Sequence, residues 1–163
     1  MSEELKIKDD LMAPHETIKI NYRGPNPAGV MSLIPDLIKN TMKISSKDLL
    51  ETDLRWDNSS ENNTFYGMWM GKRTEDRWTK TFIRLVLQGT QNSKDKMGDF
   101  TLQLKGYIET KYGYSNFFQR GFWYIYNYKF YYAQRRKYID SGKDDILEMK
   151  STILSKFRID QEE

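Results

Sequence analysis

The chain has 163 residues, with 26 Lys and Arg against 23 Asp and Glu and a net charge of +3. That suits one domain and lacks the large positive field of a dedicated polyanion binder. There is no cysteine and one histidine, His15, which excludes disulfides, thiolate nucleophiles and Cys- or His-rich zinc sites.

Residues 1–14 mix charges without clear periodicity and read as a loose N-terminal arm. They contain no apolar core of a secretory leader, and no run in the chain is long enough to cross a membrane. The expected location is the cytoplasm. Residues 15–159 read as a single α+β domain with no repeat or linker.

Within that domain, Ile18, Ile20 and Tyr22 alternate with Lys19, Asn21 and Arg23, the signature of a half-buried strand. The stretch "RGPNP" ends it. Asn26 and Pro27 suit the start of a helix. Val30, Ile34, Leu37, Ile38 and Thr41 or Met42 then recur at helical spacing. Pro35 falls inside that pattern and lacks the N–H an interior position needs, which predicts two short helices meeting at Ile34-Pro35. From Asp48 to about Tyr112 the pattern is antiparallel strand. Leu50, Leu54 and Trp56 alternate with Glu51, Asp53 and Arg55. Strands over Phe65–Lys72, Trp78–Gln88 and Phe100–Glu109 follow, separated by polar turns. After Ser141-Gly142, Ile146, Met149, Ile153, Leu154 and Phe157 mark an amphipathic helix with Asp144 and Asp145 in its first turn.

The most unusual stretch is "GFWYIYNYKFYY", Gly121 to Tyr132. From Phe118 to Tyr132 one parity holds Phe118, Arg120, Phe122, Tyr124, Tyr126, Tyr128, Phe130 and Tyr132. The other holds Gln119, Gly121, Trp123, Ile125, Asn127, Lys129 and Tyr131. One nearly all-ring face predicts a long strand. A helix from about Ile125 through Ile139 is the alternative, since "AQRRK" contains good helix formers.

The order of strand, two short helices, antiparallel strands and terminal helix resembles the helix-grip fold of the START and Bet v 1-like superfamily. The resemblance covers about Ile18 to Phe157 and rests on element order. It implies a curved antiparallel sheet of six or seven strands wrapped around a C-terminal helix. It also implies a cavity that commonly encloses a small, largely apolar ligand. Trp69, Trp78, Tyr124, Tyr126 and Tyr128 are the candidate lining residues, and filling of the core by the same rings is the competing expectation.

No catalytic constellation stands out, and no cofactor or metal is expected. His15 has no partner at a fixed distance. Glu51 and Asp53 share a parity, but acids on a solvent face ordinarily pair with basic neighbours. No glycine pattern matches a phosphate-binding loop. Two further partner classes follow from the surface residues. Arg120, Lys129, Arg135, Arg136 and Lys137, interleaved with rings, form a candidate nucleic-acid interface. Trp123, Ile125 and Tyr131, if outward, form a candidate homo-oligomer face, with the arm residues Leu5, Ile7, Leu11 and Met12 as the rival cover.

Overall fold

The computed structural model describes residues 2–15 and 17–159. Six antiparallel strands form one curved sheet: β1 (Glu3–Asp10), β2 (Ile18–Pro25), β3 (Leu49–Asp57), β4 (Asn62–Thr74), β5 (Thr79–Asn92) and β6 (Met97–Tyr114). Their order across the sheet is β1-β6-β5-β4-β3, with β2 also paired to β6. Helix α1 (Val30–Met42) follows β2, and helices α2 (Phe117–Tyr126) and α3 (Tyr132–Phe157) follow β6.

The alternation along β4, β5 and β6 sets the core. Phe65 and Trp69, then Ile83, Leu85 and Leu87, then Phe100, Leu102, Leu104 and Ile108 all lie on one buried face. Against it pack Ile34, Ile38 and Met42 of α1 and Ile146, Met149 and Ile153 of α3. Trp69 lies over Gly67 so closely that a Cβ there would come within 2.2 Å of its ring.

Residues 1–14 do not form a loose arm where they are described. β1 pairs with the second half of β6, from Glu3↔Tyr114 to Asp10↔Tyr107. β2 pairs with the first half, from Ile18↔Leu104 to Pro25↔Met97. The two are halves of one edge strand, interrupted where the chain loops out after Asp10. Leu11 anchors the interruption: its N–H donates to the Gly106 carbonyl at 2.9 Å and its side chain is buried. The space it fills exists because Gly106 and Gly142 carry no side chains. A Cβ on either would lie 2.8 Å from a Leu11 methyl. Sequence periodicity missed β1 because Leu5 alone is buried among its outward polar residues.

Four more expectations are corrected. One helix, not two, spans Pro35, preceded by a 3-10 turn at Pro27–Gly29. Burial of Ile34, Leu37, Ile38 and Met42, at about 1.5–3 kcal/mol each, outweighs the roughly 3 kcal/mol of an interior proline. Asn26 makes no side-chain cap; the Ala28 N–H instead donates to Gln91 Oε1 at 3.0 Å. The aromatic stretch is helical, so the sheet reaches six strands through β1. Ser141 and Gly142 lie inside α3, which begins at Tyr132.

Candidate functional site

The aromatic stretch folds as helix because its start is capped. Asn116 Oδ1 accepts from the Gln119 N–H at 2.9 Å, and Gln119 Oε1 accepts from the Ser115 N–H at 2.8 Å. This is a reciprocal capping arrangement, written in the sequence as "SNFFQ". α2 then runs into a π-helical turn, Asn127–Tyr131, and on into α3.

The inward side of this helix closes a second, smaller core. Trp123 stacks on Tyr112 of β6 with ring centroids 4.5 Å apart. Trp78 meets Tyr112, Trp123, Tyr126 and Tyr131 at centroid distances of 5.5–6.0 Å. Trp123 Nε1 donates to the Gly113 carbonyl at 2.9 Å. The rings thus have both apolar partners and satisfied polar atoms.

Beneath these rings lies a polar network. The Tyr131 hydroxyl bonds Asp76, and it lies 2.7 Å from Thr79 Oγ1. Thr79 Oγ1 in turn lies 2.8 Å from Thr110 Oγ1. Arg135 Nε donates to Thr110 Oγ1 at 3.0 Å, and its other nitrogens reach Asp9 and the Ile7 carbonyl. Tyr138 donates to Asp76 at 3.1 Å. Burial, reinforced by the bond to Asp76, drives the Tyr131 hydroxyl well above the usual tyrosine range. Burial does the same to Tyr112. A second ion cluster joins Arg73 to Glu75 and Asp145 at 2.7 and 2.6 Å. Burial raises the Asp145 carboxyl above its ordinary range, against the pull of Arg73.

The outward side of α2 and the π turn is different in kind. Phe117 and Phe118 are 80% and 84% exposed, and Tyr128 and Phe130 are each 74% exposed. Phe122, Tyr124 and Ile125 are exposed as well. At 3.6 residues per turn, Phe117, Phe118, Phe122, Tyr124 and Ile125 form one continuous arc, opposite Trp123 and Tyr126.

The five expected ligand-lining residues do not converge. Trp69 is 1% exposed in the main core, where its Nε1 donates to Glu51 at 3.2 Å. Trp78 and Tyr126 belong to the second core. Tyr124 and Tyr128 are on the outer surface. Of the basic residues, Arg120, Lys129, Arg136 and Lys137 are exposed, but Arg135 is buried in the polar network. It supplies the charge that holds β1 to α3, so it is not available to a nucleic acid. Trp123 and Tyr131, expected on an outer face, turn inward; Ile125 is outward. His15 is exposed. A register shift separates Glu51 from Asp53, which pairs with Arg55 at 2.6 Å. The face of β3 expected to point inward leaves Leu50, Leu54 and Trp56 exposed. Among the described residues no group of three or more His, Cys, Asp or Glu could hold a metal ion.

An open groove of about 640 Å³ lies where β2 meets the end of α3, lined by Tyr22, Arg23, Pro25, Lys156, Phe157 and neighbours.

No family model and no curated protein matches the sequence. Solved structures matched in a comparison of folds include the activated Cyt2Ba monomer from Bacillus thuringiensis subsp. israelensis, at 8% identity and a TM-score of 0.34 over 67% of this chain and 74% of that one. SA2116, a protein of unknown function from Staphylococcus aureus, is 9% identical with a TM-score of 0.25, over 93% and 98% of the two chains. Ara h 8.0201 is 8% identical with a TM-score of 0.20, over 81% and 97%.

Proposed function

We propose that this is a binding domain that docks to its partner through the outward face of α2 and the π turn. The observation that supports the reading is the exposed arc of Phe117, Phe118, Phe122 and Ile125 on a helix whose other face is anchored by Trp123 and Tyr126. Single exposed rings are ordinary, but contiguous ones on a fixed scaffold are a hallmark of interaction sites. The underlying architecture is consistent with the helix-grip superfamily, which the element order resembles.

The test is fluorescence of an anilinonaphthalene sulfonate dye on the folded protein. Wild type should enhance the dye, and Phe118→Ser/Phe122→Ser should remove most of that enhancement with unchanged circular dichroism. Undiminished emission from the variant would place the accessible apolar surface elsewhere.

A small apolar ligand is the second reading. The groove between β2 and α3 favours it, because its size falls within the range of small-molecule sites. Native mass spectrometry of the purified protein tests it: a co-purified molecule is expected, and a bare mass counts against it.

A further inference from the structure

We propose that α2 is an interfacial helix that seats this domain on an anionic lipid surface. The proposal rests on the reading of α2 as the binding face and names the partner of that face.

The chemistry of the arc comes first. Phe117, Phe118, Phe122 and Ile125 offer no hydrogen bond to a partner, only apolar area. Tyr124 and Tyr128 on the same exposed surface add ring hydroxyls. Apolar side chains that enter the acyl boundary, with Tyr at headgroup depth, are the makeup of helices that lie in a membrane interface. Among the described residues no helix is long and apolar enough to cross a bilayer, so α2 would lie on the surface.

Charge distribution selects the kind of surface. Residues 110–139 contain no Asp or Glu, although the whole chain carries 23. Arg120, Lys129 and Lys137 are exposed there. Arg136 lies 3.7 Å from Asp140, and both side chains are 62% exposed, so solvent weakens that pair. Glu3 of β1 accepts from the Tyr114 hydroxyl near Arg120, but the helix itself contributes only basic charge, and a mainly basic border around an apolar face is complementary to a negatively charged bilayer. The edge strand β3 provides the contrast. It also exposes Leu50, Leu54 and Trp56, but Glu51, Asp53 and Asp57 outnumber Arg55 along it, and Arg55 is paired with Asp53, so the strand is net acidic and poorly suited to an anionic surface.

Two other occupants fit less well. A second copy docked face to face would oppose two mainly basic surfaces. A single-stranded nucleic acid needs cations among the rings to follow its phosphates, whereas Phe and Ile crowd this arc and the cations sit at its border.

Co-sedimentation of the full chain with lipid vesicles tests the proposal. One set is phosphatidylcholine alone, and the other adds about 30% phosphatidylserine. The protein should partition to the anionic vesicles at least about tenfold better, and less so as salt rises. Phe118→Ser/Phe122→Ser should lower that partitioning by about tenfold or more, since each ring loses its apolar contact. Arg120→Gln/Lys129→Gln should also lower it about tenfold or more, at roughly fivefold per cation. Circular dichroism should be unchanged in both variants. Equal binding to the two vesicle types, or none to either, overturns the lipid assignment.

The same variants are run against a labelled single-stranded RNA and in equilibrium sedimentation. RNA binding or self-association without anionic-lipid preference, abolished by Phe118→Ser/Phe122→Ser, removes lipid as the partner and leaves α2 as the site. If no interaction responds to that double substitution, the reading of α2 as the binding face fails with it.

Discussion

Replacing Tyr131 with Phe deletes one oxygen from the junction of the two helices and leaves the ring in place. The ring is 4% exposed, so its apolar burial is retained. What is lost is the hydroxyl bond to Asp76 and the contact with Thr79. Neither partner is orphaned. Asp76 still accepts from the Trp78 and Thr79 N–H groups at 2.8 and 2.9 Å and from Tyr138 at 3.1 Å. Thr79 keeps Thr110 at 2.8 Å. The expected cost is therefore that of one hydrogen bond to a charged group, about 1.5–3 kcal/mol. In a chain of this length that lowers Tm by roughly 3–12 °C. Urea denaturation gives the difference directly, with Tyr132→Phe as the control. Tyr132 is exposed, and its variant should stay within about 0.5 kcal/mol of wild type. A Tyr131→Phe variant as stable as that control would refute the assignment of Tyr131 as the polar tie between the helical junction and the sheet.

Leu11→Ala should cost about 2–5 kcal/mol, the range for emptying a buried leucine site. Urea unfolding, with hydrogen exchange over β1, should show both global loss and faster opening of that strand; an unchanged midpoint would mean that the segment after β1 is not docked. The buried Tyr112 and Tyr131 make stability depend on alkaline pH. Their folded values are raised, so the unfolded chain releases protons first, near the ordinary value of about 10. Their contribution is complete below that pH and declines above it. Ultraviolet titration should show some of the 11 tyrosines ionising only as the protein unfolds; one step near pH 10 with the fold intact would contradict it.

The strands of the central sheet were legible because β4, β5 and β6 each bury every second residue. The exceptions lie where one side is exposed or the backbone departs from regularity. β1 buries only Leu5 outright and Ile7 in part, so its alternation covers just Leu5 to Lys8. On β3 the shift between Glu51 and Asp53 changes the facing of the residues that follow, and a parity count cannot register it. Phe118, Phe122 and Tyr124 of the exposed arc share one parity, and because aromatic residues favour strands that parity predicts a strand face rather than a helix. The "SNFFQ" cap was a local signal for helix. The polar network was not legible at all, since Asp9, the Asp76–Thr79 turn, Thr110 and Arg135 come from four segments far apart in sequence.

The helical junction itself explains how inward side chains between Trp123 and Arg135 keep a spacing that a regular helix does not hold. Inward side chains occur at Trp123, Asn127, Tyr131 and Arg135, four residues apart each time. In an unbroken α-helix that spacing would drift by about a third of a turn over the stretch. Tyr131 and Arg135 would then turn away from Asp76 and Thr110. The π turn at Asn127–Tyr131 holds more residues per turn and absorbs the drift. The bonds to Asp76, Thr79, Asp9 and Thr110 hold the widened turn in register from the sheet side. The same turn carries Tyr128 and Phe130 outward beside the exposed face of α2. One local irregularity therefore links the inward anchoring of the helix to the display of rings on its outer side. This is why the inner network bears on the outer face although none of its residues belongs to that face.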